Sequence, residues 1–132
     1  MAEQHPNVLR YVRGIRAFNE NDVATAMEVF SENIIYRIAG RSPLAGEYRS
    51  FDEFARALRR FRKLSGNTLA VEPKVVLADD RALMVYAHVT AEREGKRLDI
   101  DHAYLYLFDD EGKVVEGRTI PVDLYAFDEF WS

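Results

Sequence analysis

The sequence predicts an α+β fold in which N-terminal helices pack on the concave face of a curved, mostly antiparallel β-sheet. Three observations carry this expectation. Apolar residues recur at helical spacing through the first half of the chain, and from Leu69 onward the period drops to two. The period-two runs are separated by the turn clusters ADDR, REGK and DDEG, the pattern of a hairpin meander following a block of helices. With 132 residues, 48% of them hydrophobic and 12% aromatic, one domain spanning 1–132 can build its own core.

In chain order, Val8, Tyr11, Val12, Ile15 and Phe18 form a helical stripe behind Pro6, which stands where a first turn tolerates proline. Asp22 caps a second predicted helix with the stripe Val23, Ala26, Met27 and Phe30. Ile34, Tyr36 and Ile38 then alternate as a short strand. The stretch RSPLAGEYRS, Arg41 to Ser50, is a loop whose far end starts a third helix, because Ser50 and Glu53 make an S-x-x-E capping box. That helix carries Phe51, Phe54, Leu58 and Phe61 on one side and Arg56, Arg59, Arg60 and Lys63 on the others. Strands are expected around Val75 to Leu77, from Ala82 to Glu92, from Arg97 to Phe108 and from Lys113 to Val122. The tail, with Asp123, Tyr125, Phe127, Phe130 and Trp131, supplies aromatics to close one end of the sheet or to cover a partner subunit.

Composition narrows the function classes. Charged residues make up 30% of the chain and the formal net charge is -4, which argues against nucleic acid as a partner. The basic run RALRRFRK reads as the outer face of the third helix, not a phosphate site. Absence of cysteine removes disulfides, thiolate catalysis and cysteine-ligated metals. Asp79 with Asp80, and Asp109 with Asp110 and Glu111, are turn residues without fixed ligand geometry, so neither a metal nor another cofactor is expected. The start MAEQHPNVLR lacks the apolar core of a secretory signal, and no run is long enough to cross a bilayer. A cytoplasmic protein without membrane contact is the expectation.

The helical hairpin ending in DVATAMEVFSENIIYRIAG, the loop SPLAGEYRSFDEF, the hairpin EREGKRLD, the strand ending DDEGKVVEGR and the tail VDLYAFDEFW together resemble the SnoaL-like, ketosteroid-isomerase-like branch of the nuclear transport factor 2 (NTF2-like) superfamily. SPLAGEY is the most specific of these stretches. The resemblance implies a cone of curved sheet wrapped by three helices, with a pocket inside the cone, RSPLAGEYRS at its rim, and a dimer formed through the sheet's outer face. It does not carry over the isomerase chemistry, in which an aspartate base works with a tyrosine and a protonated aspartate. The base position falls on Ile38, and the oxyanion tyrosine position falls on Gly14 with Tyr11 a turn away. The oxyanion aspartate position falls on Tyr104, a phenol able to donate a hydrogen bond.

Other polar candidates are judged on strand parity. Along RLDIDHAYLYLF, Ile100, His102, Tyr104 and Tyr106 share one face, and Asp99, Asp101, Ala103, Leu105 and Leu107 share the other. The resemblance puts Tyr104's face inside the cone, making His102 and Tyr104 the candidate catalytic pair. Tyr36, Ile38, Phe54, Leu58, Phe61, Tyr106 and Trp131 are the candidate ligand-binding wall. A histidine satisfied at a strand end is the competing account of His102. Parity leaves the face of His88 open, and His5, near the terminus, is given no role. Asp99 and Asp101 read as solvated edge charges, and Arg118 as a partner for a substrate carboxylate, for Asp123 or for a cross-strand acid. Two functions remain open. One is an acid–base enzyme, an isomerase, cyclase, dehydratase or hydrolase, acting without cofactor on a small hydrophobic molecule. The other is a non-catalytic ligand-binding or dimeric scaffold module. In both, Leu105 and Leu107 on the outer face predict a homodimer.

Overall fold

The computed structural model describes residues 4–132. Helix α1 (Pro6–Asn19) starts at His5, whose Nδ1 accepts from the Asn7 N–H at 3.1 Å while Nε2 meets Asp80 at 2.9 Å. His5 therefore has a role, as the N-cap that ties α1 to a sheet turn. Asp22 caps α2, as its side chain accepts from the Thr25 N–H at 3.1 Å. This helix is shorter than its apolar stripe suggested: α2 covers only Val23–Ala26, and one 3₁₀ turn, Met27–Val29, follows. Phe30 already belongs to β1 (Phe30–Ile38). Pairing explains the difference, because Phe30 is opposite Val114 in the sheet and its ring meets Phe54 edge-on at 5.0 Å. Long-range contacts outweigh the local helical period.

After β1 the chain makes β2 (Gly46–Arg49), a short strand inside the stretch expected as loop. β2 pairs antiparallel with β1, Tyr48 opposite Tyr36. Helix α3 (Phe51–Leu64) starts at the expected cap, Ser50 Oγ accepting from the Glu53 N–H at 3.1 Å, while the return bond of the box is displaced by one residue, Glu53 accepting from the Arg49 N–H at 2.6 Å. The meander follows as β3 (Ala70–Ala78), β4 (Ala82–Arg93), β5 (Lys96–Phe108) and β6 (Val114–Pro121). β3 is longer than expected because Pro73 and a register shift between Pro73 and Val75 break its alternation. An edge strand tolerates that proline. The tail is a fourth helix, α4 (Leu124–Trp131), capped by Asp123, which accepts from the Ala126 N–H at 3.0 Å.

The strand order is β2-β1-β6-β5-β4-β3, antiparallel at every junction except β1 with β6, which run parallel. The result is an α+β cone, a curved open sheet with helices on its concave side. Along β4, Leu83, Val85, Ala87, Val89 and Ala91 are buried. Met84 and Tyr86 are exposed and His88 half-buried, which settles the parity left open for His88: it faces outward. No described helix is long and apolar enough to cross a membrane.

Candidate functional site

Alternation on β5 sends Leu98, His102, Tyr104 and Tyr106 into the cone, where all four are buried. β1 adds Tyr36 and Ile38, α3 adds Phe54, Leu58 and Phe61, and α4 adds Phe127 and Trp131. Together with residues of α1 and β6 they wall a cavity of about 90 Å³. All nine residues named from the sequence as catalytic or ligand-binding stand in this wall, to which no aspartate, glutamate, lysine or arginine among the described residues contributes. Loop RSPLAGEYRS contributes none of it, contrary to the expected rim. Its place is against α4, with the Arg41 and Ser42 N–H groups donating to Asp128 Oδ1 at 2.9 and 3.3 Å and Leu44 fully buried.

Two polar pairs interrupt the apolar wall. His102 Nδ1 and the Tyr104 hydroxyl are 2.9 Å apart, with the imidazole edge-on to Phe127 at 5.3 Å. Burial lowers the His102 pKa to about 4, the nearby Asp101 charge opposing only in part, so the ring is neutral at neutral pH. Its Nε2 is buried without a partner among the described residues. The second pair is Tyr36 with Thr119, hydroxyl to hydroxyl at 2.7 Å. Burial pushes Tyr36 up to about 12, and it raises Tyr11, Tyr104 and Tyr106 further. The Tyr36 ring stacks on Phe54 with centroids 4.0 Å apart. It lies against bare backbone at Gly117, where an added Cβ would come within 2.5 Å of its ring carbons.

Sequence reasoning missed Tyr11 and Thr119. The sequence places Tyr11 in the α1 stripe, a turn from the oxyanion tyrosine position, and gives it no site role, yet its hydroxyl is buried in the wall with no partner among the described residues. Thr119 shares parity with Gly117 on β6 and sits opposite Tyr104, a placement that needs the strand register. Of the tail, Phe127, Phe130 and Trp131 are buried, but Tyr125 is 92% exposed and closes nothing. Asp123 is spent on its cap, and among the described residues Arg118 has no ion pair with it. Arg62 is not on the outer face of α3. Its buried guanidinium donates to the carbonyls of Leu69, Asn67 and Asn19 and lies over the Phe18 ring.

On the outer face Asp99 and Asp101 do more than meet solvent. They hold His88 between them, Nε2 to Asp99 at 2.6 Å and Nδ1 to Asp101 at 2.8 Å, and Asp101 also accepts from the Tyr86 hydroxyl at 2.6 Å. The Asp101 hydrogen bond, with the paired charges, raises the His88 pKa. Beside this cluster the sheet register lines up two apolar rows across strands. Val75, Tyr86, Ala103 and Ile120 form one, and Leu77, Met84 and Leu105 form the other.

A family model described as a SnoaL-like domain matches residues 8–117. Among solved structures, Bal32a from a soil-derived mobile gene cassette is 36% identical, with a TM-score of 0.89 and 96% of each chain covered. A cystatin-like-fold protein from Xanthomonas campestris is 22% identical, with a TM-score of 0.87 over 97% of this chain and 99% of the other. A candidate SnoaL-like polyketide cyclase from Jannaschia sp. CCS1 is 16% identical, with a TM-score of 0.79 over 100% and 98%. A search of curated proteins returns no match.

Proposed function

The chain belongs to the SnoaL-like domain family, and from that premise we propose that it is a small-molecule-pocket protein whose cone takes up an uncharged apolar or cyclic molecule. We propose further that it acts on that molecule by acid–base chemistry without metal or redox cofactor, as an isomerase, cyclase, dehydratase or hydrolase. His102 and Tyr104 touch the reacting atoms in this reading, while Tyr36, Ile38, Phe54, Leu58, Phe61, Tyr106 and Trp131 hold the ring. The supporting observation is the coupled imidazole and phenol, 2.9 Å apart in a mainly apolar wall whose other polar groups are the hydroxyls of Tyr11, Tyr36, Tyr106 and Thr119. Such walls with a few convergent polar groups are what small-molecule sites look like. The cavity, about 90 Å³, is smaller than the ~150 Å³ that admits benzene in an apolar protein interior. A ring-sized guest therefore has to turn some of the aromatic wall.

That no carboxylate among the described residues lines the wall favours the second reading, a non-catalytic module for hydrophobic ligands. One experiment serves both. Uncharged cyclic ketones and epoxides are screened by thermal shift, and hits are followed by NMR of the His102 ring and by product analysis. Conversion that His102→Gln abolishes supports the enzyme; tight binding without conversion supports the module; no ligand that moves the His102 signals sinks the pocket. A homodimer through the outer sheet face is part of the same proposal. Its support is the two apolar rows, whose exposed area a second copy would cover. Sedimentation at micromolar concentration tests it, with Met84→Asp expected to give monomer.

A further inference from the structure

Resting on the pocket reading above, we propose that His102 and Tyr104 form a charge-neutral proton relay, and that the cavity selects uncharged ring molecules in which a hydroxyl is conjugated to a carbonyl.

A neutral imidazole carries one N–H and a tyrosine one O–H, so the 2.9 Å contact between Nδ1 and the phenol exists in two forms. In one, Tyr104 donates to Nδ1 and the free Nε2–H is a donor. In the other, Nδ1–H donates to the phenol oxygen, Nε2 offers a lone pair and the phenolic hydrogen points elsewhere. Each form offers a ligand one donor and one acceptor, with the roles exchanged. Nε2 is the end left over: it belongs to a residue 4% exposed, and among the described residues it has no partner. Among the described residues no charged side chain lines the cavity to balance an imidazolium or a phenolate. Burial accordingly holds the imidazole neutral and the phenol protonated. A proton can leave the ligand only if another returns in the same event.

The step balances without a co-reactant. Starting from the Nδ1–H form, the ligand O–H bond breaks and an Nε2–H bond forms. The Nδ1 proton passes to the Tyr104 oxygen, and the Tyr104 proton passes to the ligand carbonyl oxygen. The ligand double bonds shift by one place, so the former hydroxyl becomes the carbonyl and the former carbonyl the hydroxyl. The ligand is now its tautomer and the pair is in its other form, with no charge created and nothing oxidised. Geometry sets the ligand class. The two contact atoms are separated by the width of an imidazole ring plus the 2.9 Å bond, too far for the adjacent oxygens of a carboxylic acid or a chelated open-chain enol. A ring that fixes the hydroxyl and carbonyl on alternate carbons, pointing apart, spans the gap.

The test uses 3-hydroxycyclohex-2-enone, a vinylogous acid, and its methyl ether, 3-methoxycyclohex-2-enone, at a pH above the His102 value of about 4 and below the point at which the enol ionises, where both compounds and the ring are largely uncharged. Titrations are followed by ¹⁵N NMR of the His102 ring, which reports the proton balance between Nδ1 and Nε2. The hydroxy compound should change that balance and bind about tenfold more tightly than the ether, the worth of one added buried hydrogen bond. Tyr104→Phe should abolish the difference between the two compounds. Equal affinities with an unchanged ring tautomer would overturn the relay and leave the pocket reading standing, since the ether still binds. If neither compound binds, the pocket reading falls and takes the relay with it. Should Tyr104→Phe fail to fold, the tautomer measured on the natural chain decides alone.

Discussion

Two histidines on neighbouring strands behave as opposites. His102 on β5 is opposite Ala87 on β4, and one step along the same ladder His88 is opposite Asp101. One residue of register is one change of face. His102 enters the cone, loses water and has its pKa lowered to about 4. His88 leaves it, meets two carboxylates and has its pKa raised. The sequence environment of the two is similar, both lying in strands rich in aromatic and branched residues. The face, not the neighbours in sequence, decides whether a histidine in this sheet is an uncharged cavity group or half of an ion cluster.

The strongest way to break the comparison is to put a charge on each face of one strand. Leu98→Asp, on a side chain 1% exposed, should cost at least about 4 kcal/mol, while Arg97→Asp next door should stay within about 1 kcal/mol. Urea unfolding of the two variants at one protein concentration checks this, and similar costs would mean the inner face admits water. Next in size is the pH dependence that His102 imposes. The unfolded chain binds a proton on this ring near 6.5 and the folded chain only near 4, so its contribution is intact above 6.5 and is lost as pH falls toward 4. The loss should reach about 3 kcal/mol and vanish in His102→Gln.

Ser50→Ala, on neither face, provides a reference. Removing the N-cap acceptor of α3 should cost about 1 kcal/mol at every pH, and an unchanged melting curve would mean that the Ser50 cap contributes nothing. His88 should give the smallest effect on stability, because its partners are half in water. Its folded pKa lies above the unfolded one, so its contribution is complete below 6.5 and fades as pH rises through the folded value. By NMR its midpoint should lie above that of an unfolded peptide and drop in Asp101→Asn. An unmoved midpoint would break the contrast with His102.

Strand parity made much of the cavity wall legible before any coordinates, since period two puts His102, Tyr104 and Tyr106 together and the capping box at Ser50 fixes the phase of α3. What stayed hidden had tertiary causes. GEYR in β2 shows no apolar alternation and is held to β1 by the backbone ladder and the Arg37–Glu47 ion pair at 3.5 Å. Phe30 carries a helical phase in sequence and a strand pairing in space. Arg62 looks like its basic neighbours, and only the carbonyls gathered around it give it a reason to be buried. LYAFDEFW does carry a stripe, Phe127, Phe130 and Trp131 at i, i+3 and i+4, but over only eight residues, too short a run to mark a helix without the Asp123 cap beside it.

Gly117 has a consequence for descent. Its missing Cβ is the space in which the Tyr36 ring lies, and that ring's hydroxyl is anchored 2.7 Å from Thr119, two residues along β6. A lineage in which Gly117 becomes alanine must turn Tyr36 off its stack on Phe54 or replace it with something smaller, and either change redraws the cavity. The two positions constrain each other sterically, and the bore of the cone is set where a side chain is absent.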